Sequence, residues 1–434
     1  MNYLPNIIFA IILIAGIGYF SSNIKKLIRN IKLGREVDAS DNKGQRWKNM
    51  ARIALGQSKM VVRPIAGIMH IIVYVGFVII NIEVLEIIID GLFGTHRIGL
   101  RVLPESVYGF LIGSFEVLAV LVLVAVLIFW VRRNISNIKR FKSLKGWPKN
   151  DGNIILYFEV VLMCLFLVMN ATDVTFQELN SGNVVSQFIS PWFGENPDTF
   201  HFIERTAWWL HIVGILVFLN YLYYSKHLHI LLAFPNTYFG KLTPKGQFNN
   251  LDSVTAEVKL MMDPNADPFA APAEDEGAEE PGKFGASDVM GLNRIQLLNA
   301  YTCTECGRCT SECPANQTGK KLSPRKIMMD TRDRLVEVGK NIDANGGVFK
   351  DDGKQLLNDY ITKEELWACT TCNACVEACP VSIDPLSIIV EMRRYLVMEE
   401  SAAPMELNNM MTNIENNGAP WPYNQQDRLN WVNE

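Results

Sequence analysis

The sequence predicts an all-α chain built as a five-helix transmembrane bundle followed by a helical, cysteine-bearing soluble unit. Three observations predict it. Apolar runs of membrane-spanning length fill the chain up to about residue 235, residues in soluble proportions fill the remainder, and eight of the nine cysteines stand in two short runs within that second part. A chain of 434 residues has room for two or three domains, and its 49% apolar content is an average over two unlike halves. The expected domains are 1–240 for the bundle, 241–290 for an acidic linker, 291–400 for the cysteine unit and 401–434 for a C-terminal tail. The formal net charge is −4, and no nucleic-acid partner is expected.

Five segments have the apolar length, roughly 20 residues, that a hydrocarbon core demands. They run from Tyr3 to Ser22, Pro64 to Asp90, Ser106 to Val131, Asn153 to Thr172 and Phe202 to Tyr224. The first has no basic residues ahead of it and no small-residue cleavage site behind it, so it reads as a retained span. Basic residues crowd two alternate loops: Lys25, Lys26, Arg29, Lys32, Lys59 and Arg63 lie between spans one and two, and Arg132, Arg133, Lys139, Arg140 and Lys142 between spans three and four. The other two loops carry little beyond Arg97 and Arg101. The enrichment of Lys and Arg in cytoplasmic loops then implies an inner-membrane protein with its N-terminus outside and its cysteine half in the cytoplasm. The cysteines agree, because grouped thiols need a reducing compartment. Cys164, alone in an apolar helix, reads as a small buried hydrophobe.

Only six histidines occur, His70, His96, His201, His211, His227 and His229, and they gather near span ends. An imidazole at membrane depth is costly unless it is paired or holds a metal. On one continuous helix His211 and His229, 18 residues apart, share a face about 27 Å apart along the axis, with His227 nearly opposite. His70, at the start of span two, matches His229 in depth, so these two form the expected axial pair of an inner haem b. The plainer reading is that each bonds a carbonyl or headgroup. His211 has no ligating residue opposite it on span two, where Ile80 or Asn81 would stand; His96 and His201 are possible substitutes, or ordinary surface histidines. Glu83 and Glu86, three apart on span two, are candidates for proton or quinone chemistry or for contact with interfacial water.

From Thr243 to about Lys283 the sequence loses its period and gathers Pro, Ala and acid, as in DPNADPFAAPAEDEGAEEPGKFG, which suggests a flexible tether. Beyond it stand Cys303-x2-Cys306-x2-Cys309-x3-Cys313-Pro314 and Cys369-x2-Cys372-x2-Cys375-x3-Cys379-Pro380. This is the bacterial two-cluster [4Fe-4S] signature, in which three cysteines wrap one cluster and the fourth crosses to the other. Cys303, Cys306, Cys309 and Cys379 are thus expected on one cluster, and Cys369, Cys372, Cys375 and Cys313 on the second. Paired CxxC elements also build zinc sites, but a duplicated four-cysteine run ending in proline favours iron and sulfide. Helical periods around Ser323 to Gly339 and Pro385 to Glu399 make this an α-helical ferredoxin domain, with a loop at Asn345-Gly346-Gly347.

Through CTECGRCTSECP and CTTCNACVEACP, the second half resembles the C-type iron-sulfur subunit of the heterodisulfide reductase superfamily over about 110 residues. Through GIMH ending at His70 and WWLHIVGILVFLNYLYYSKHLHI, the first half resembles the cytochrome b, or gamma, subunit of respiratory nitrate reductase. That resemblance implies four histidines on spans two and five holding two haems b; span two of this chain carries one histidine, so it implies an inner haem and leaves an outer one open. It also implies a separate soluble partner, a CCG-domain protein or flavoprotein, since CCG repeats do not occur in this sequence. The function expected is electron relay between menaquinone or ubiquinone, haem b, two [4Fe-4S] clusters and that partner, as a subunit of a quinone-linked oxidoreductase. The other readings are a haem-free membrane-anchored docking or sensing module, and a self-sufficient membrane reductase.

Overall fold

The computed structural model describes residues 3–179, 181–244, 246–264 and 283–432. Among the described residues, five helices are long and apolar enough to cross a membrane: α1 (Leu4–Lys32), α2 (Pro64–Phe93), α3 (Glu105–Asn134), α4 (Trp147–Thr172) and α5 (Pro197–Leu222). Proline, whose missing N–H costs nothing in a first turn, opens α1, α2, α4 and α5. Asn196 caps α5 by accepting from the Asp198 and Thr199 amides, and Gly94, at φ 69°, ends α2. Each helix packs on its neighbour in sequence, and α1 closes the ring against α5. Phe9, Ile80, Phe115, Phe166, Trp208 and Ile212 fill the interior, while Ile11, Ile14, Val78, Leu85, Leu127 and Val217 remain exposed. An exposed apolar girdle on helices of this length is the surface that lipid covers.

Two expected spans differ from the observed helices in ways that matter. Helix α1 continues ten residues past Ser22, to Lys32, and carries Arg29 and Asn30 out of the bundle. Helix α5 ends at Leu222 rather than running to His229. There Ser225 turns extended and accepts from the His227 amide, a short 3-10 turn (Lys226–Leu228) follows, and α6 (His229–Tyr238) starts in a new direction. His211 and His229 therefore do not share one helix face, and His227 is not set on the opposite one.

The 241–290 region also departs from a featureless linker. Residues 252–262 form an exposed helix, α7 (Asp252–Met262). At its other end Ala286 and Val289 are buried in the cysteine unit, with the Phe284 amide donating to Glu399. The acidic stretch 265–282 lies outside the described residues. Beyond it α8 (Arg294–Thr302), α9 (Pro324–Ala344) and α10 (Pro385–Met398) surround a core that includes Leu297, Ile327, Leu335, Leu366, Ile389 and Met392. Helix α11 (Met405–Asn417) follows with no buried residue, within the stretch read as a tail.

The cysteine unit sits directly on one end of the bundle. Gly34 lets the end of α1 reach the chain before α8: a Cβ there would meet the Leu292 to Arg294 backbone at 2.9 Å. Two backbone bonds seal this approach, Arg35 N to Leu292 O at 2.9 Å and Arg294 N to Arg35 O at 3.0 Å. At Gly339 on α9 a Cβ would strike the Asn30 side chain, which instead donates to Tyr301 Oη at 2.9 Å. Within the unit, fully buried Arg334 donates to Asp288, Asp352 and the Lys354 carbonyl, at 2.6 to 3.2 Å. Arg334→Met strands two carboxylates and is expected to cost about 3–5 kcal/mol. Denaturant unfolding of the full chain, followed by near-ultraviolet dichroism, measures it.

Candidate functional site

The two cysteine runs fold into the same loop twice. Glu305 and Gly307 take positive φ (55° and 71°) at the second and fourth positions after Cys303, and Thr371 and Asn373 (56° and 60°) do so after Cys369. Such alternation of right- and left-handed residues turns successive amides inward, making the nests that anions and iron-sulfur clusters occupy. Asn takes the left-handed conformation readily, but Glu and Thr do so only against strain, so the fold holds them there. Two amides already point at sulfur: Thr371 N to Cys369 Sγ at 3.4 Å and Ile383 N to Cys379 Sγ at 3.3 Å.

The eight cysteines fall into two groups by proximity. Cys303, Cys306 and Cys379 surround Cys309, whereas Cys313 lies with Cys369 and Cys375. Cys313, Cys369, Cys372 and Cys375 together line one small cavity, walled by Leu322, Pro324, Leu386 and Ile389. The fourth cysteine of each run thus sits beside the other run's first three. Burial pushes the Cys303 and Cys375 thiols up to about 12 and Cys379 to about 11, with neighbouring thiols adding to the rise in each case. Four converging thiols are a donor set that an iron cluster satisfies, because it binds them as thiolates. Cys372 is the exposed member of the eight; Cys164 on α4 is also exposed, on the bundle surface rather than inside it.

At the junction with the bundle, Lys226 is almost fully buried and its ammonium meets Glu305 at 2.6 Å and Asp151 at 3.7 Å. Arg332 holds the other Glu305 oxygen at 2.7 Å, while Tyr221 and Ser225 donate to Asp151 at 2.5 and 2.7 Å. Burial alone would raise the Glu305 carboxyl, but Lys226 and Arg332 hold it below the usual range. Further contacts tie both runs to the loop before α2: Arg308 donates to the Lys59 carbonyl at 3.1 Å, Lys59 to the Cys379 carbonyl at 3.2 Å, and Arg63 to Glu312 at 2.8 Å.

Immediately beside this junction His70 and His229 face each other with ring centroids 6.3 Å apart and planes 41° apart. Two metal–nitrogen bonds of about 2.0–2.1 Å plus two half-rings span roughly 6 Å, so the pair fits a single iron between them. The His229 Nδ1 bonds the Lys226 carbonyl at 3.1 Å, which fixes the tautomer and leaves Nε2 free. His70 Nδ1 is buried without a hydrogen-bond partner among the described residues. His227, expected to point away, is 5.5 Å from the His229 ring. Burial, with His229 and His70 beside it, pushes His227 down to about 3, and burial lowers His229 as well, so both stay neutral.

His211 is not brought to another histidine. It is buried against Phe166 at 6.2 Å. His96 and His201 line a cleft at the opposite end of the bundle, together with Glu83 and Glu86. The sequence reading missed Lys226, Glu305, Asp151 and Arg332. Their signal was a charge at the border of an apolar run or inside a cysteine run, where solvation explains most charges.

Two nested cysteine loops joined to five membrane-length helices define a membrane-associated iron-sulfur electron-transfer protein. Residues 302–383 match the family described as the 4Fe-4S dicluster domain. The chain is 28% identical to the probable iron-sulfur-binding oxidoreductase FadF of Bacillus subtilis, over 99% of this chain and 61% of that one. It is 26% identical to the EtfAB:quinone oxidoreductase of Syntrophomonas wolfei, over 92% of this chain and 55% of the relative. Across 27% of its length it is 33% identical to the C-type subunit of the ferredoxin:CoB-CoM heterodisulfide reductase of Methanosarcina mazei, covering 60% of that relative. The chain thus spans about three-fifths or less of these relatives. No solved structure matches it. Its iron-sulfur half is thus similar to those of heterodisulfide reductase-like electron-transfer proteins.

Lys226→Met is expected to cost about 3 kcal/mol, because it leaves Asp151 and half of Glu305 buried without a cation. Adding Glu305→Gln to that variant should restore part of the loss. Thermal unfolding in detergent of the two single variants and the double variant gives the coupling.

Proposed function

We propose that this chain conducts electrons between a quinone in the inner membrane and a soluble partner, a flavoprotein or CCG-domain protein, on the cytoplasmic side. His70 and His229 would hold one haem b. Cys303, Cys306, Cys309 and Cys379 would hold the nearer [4Fe-4S] cluster, and Cys369, Cys372, Cys375 and Cys313 the farther one. These groups supply one-electron redox chemistry; the protein supplies spacing, potential and exclusion of water. The observation that carries the reading is continuity: the His70 and His229 pair, the Lys226 ammonium and the Glu305 loop of the first cysteine run are consecutive neighbours across the junction. Exposed Cys372 marks the end of the path where a partner would dock. The end of the bundle carrying the cysteine unit also carries Arg29, Lys59, Arg63, Arg133 and Arg140, which favours a cytoplasmic assignment for it. A quinone as the membrane partner is supported by the name of the Syntrophomonas wolfei relative.

His70→Ala and His229→Ala should each abolish the haem Soret band while leaving iron-sulfur absorbance intact; a full band in either variant overturns the pairing. His211→Ala should keep the whole band. Cys313→Ala should lower cluster iron from about eight to about four per chain and remove one set of EPR signals. Loss of both sets together would refute the crossed assignment.

A further inference from the structure

At the end of the bundle away from the cysteines, α1, α2, α4 and α5 enclose a cleft of about 610 Å³ with the segments 94–97 and 173–175. Its size is that of a small-molecule site. One wall is aromatic: Phe9 packs at 5.5 Å from Trp208 and 6.0 Å from Trp209. The other wall carries five carboxylates, Glu83, Glu86, Asp90, Asp173 and Glu204, against the two guanidiniums of Arg97 and Arg205.

Four of these carboxylates already have work inside the wall. Glu86 accepts from Gly99 N at 2.8 Å and from Tyr108 Oη. Asp90 accepts from the Arg97 and Ile98 amides at 2.8 and 3.2 Å. Asp173 takes Arg97 Nε at 2.5 Å and the Phe176 amide at 3.1 Å, and Glu204 takes Arg205. Glu83 differs: it is 4% exposed and its Oε2 has no hydrogen-bond partner among the described residues. A buried carboxyl oxygen left over at a cavity is a group waiting for a ligand's proton or hydroxyl.

We infer that this cleft is the quinone headgroup site, with Trp208 and Phe9 as the ring platform and Glu83 as the group that exchanges the proton with a quinone oxygen. The inference rests on the proposed function and adds to it a place and a direction. Glu83 is 13 residues from His70 on α2, roughly 20 Å along the axis, so quinone chemistry sits at one end of the bundle and the clusters at the other. For oxidation, quinol gives quinone, two protons and two electrons. The O–H protons pass one at a time to the Glu83 carboxylate and on to water at the cleft mouth, and the two electrons would be taken up singly by the haem b that His70 and His229 would hold and handed on to the two [4Fe-4S] clusters. Reduction of the quinone reverses each transfer. A metal cation is the competing occupant, since ligand atoms of His96, Asp173 and Glu204 lie within 4.8 Å of one another. It would have to displace Arg97 and Arg205 from the carboxylates they already neutralise.

The test uses the full chain in nanodiscs with menadiol as reductant and menadione as ligand. Glu83→Gln should slow menadiol-driven reduction of haem and clusters at least 10-fold and flatten its pH dependence. Trp208→Leu should raise the menadione concentration that half-quenches tryptophan fluorescence at least 5-fold. Both variants should give wild-type spectra with dithionite, and a control change at exposed Glu105 should leave the rate within 2-fold. If both variants keep the wild-type rate and quench, the site lies elsewhere and the inference is wrong. It is equally wrong if Mn²⁺ binds the wild type stoichiometrically and is lost in Glu204→Gln, while menadiol kinetics do not change in Glu83→Gln. If Glu83→Gln does not accumulate, Glu83→Asp and Phe9→Leu carry the same test. A wild-type chain without a Soret band would sink the proposed relay instead, and the menadione titration would still decide the cleft.

Discussion

The two halves of this molecule depend on one buried cation. Lys226 has Asp151 from the bundle on one side and Glu305 from the first cysteine loop on the other, and all three side chains are nearly closed to solvent. A buried carboxylate without a counter-ion costs several kcal/mol, so neither half is complete until the other supplies its share. The backbone makes the same point. Lys226 donates its amide to Asp151 and accepts His229 Nδ1 at its carbonyl, so the residue that locks the halves also orients an imidazole. Glu305 lies between Cys303 and Cys306 and is itself one of the strained, left-handed residues of its loop. The ion pair therefore contributes to holding that strain.

Rigid seating is what a chain of redox groups needs, because each transfer depends on a fixed gap. The interface supplies it with backbone as well as side chains. Gly34 and Arg35 at the end of α1 pair with the chain leading into α8, and Asn236 on α6 donates to the Val381 carbonyl beside Cys379. Arg325 reaches back to the Arg140 carbonyl and Ser143 hydroxyl in the loop after α3. The basic loop after α3 is thus a contact surface for the helical unit it faces.

Much of the architecture was legible in the sequence, for identifiable reasons. Apolar length is a physical requirement of the bilayer, so the five spans could be read to within a few residues at most ends, and the cysteine spacing is a requirement of a cubic cluster. The errors arose where tertiary contacts override periodicity. Nothing in NYLYYSKHLHI announces that Ser225 will leave the helix, because the cause is a distant acid: Asp151 collects the Ser225 hydroxyl, the Tyr221 hydroxyl and the Lys226 amide. Likewise α1 outruns its apolar segment because its last turns are covered by α8 and α9, not by lipid. Helix α7 inside the expected tether shows that weak periodicity still permits a short exposed helix. The carboxylates of the far cleft were visible as residues, but their partners were not, and the distinction between satisfied Glu86 and unsatisfied Glu83 exists only in three dimensions.

The break at Ser225 explains how a bundle with a single histidine on α2 can still present an imidazole pair. Residues two apart on a straight helix point about 200° apart, so a continuous α5 would turn either His227 or His229 away from α2. Ending the helix at Leu222 and passing through a 3-10 turn swings the following chain across the end of the bundle, and both imidazoles then face inward near His70. The same swing carries α6 onto α8, against the cysteine unit. One local interaction, Asp151 collecting the turn at Ser225, thus brings the histidine pair together and sets the platform on which the first cysteine loop rests. The proximity of the two sites is a consequence of that turn rather than a separate feature of the fold.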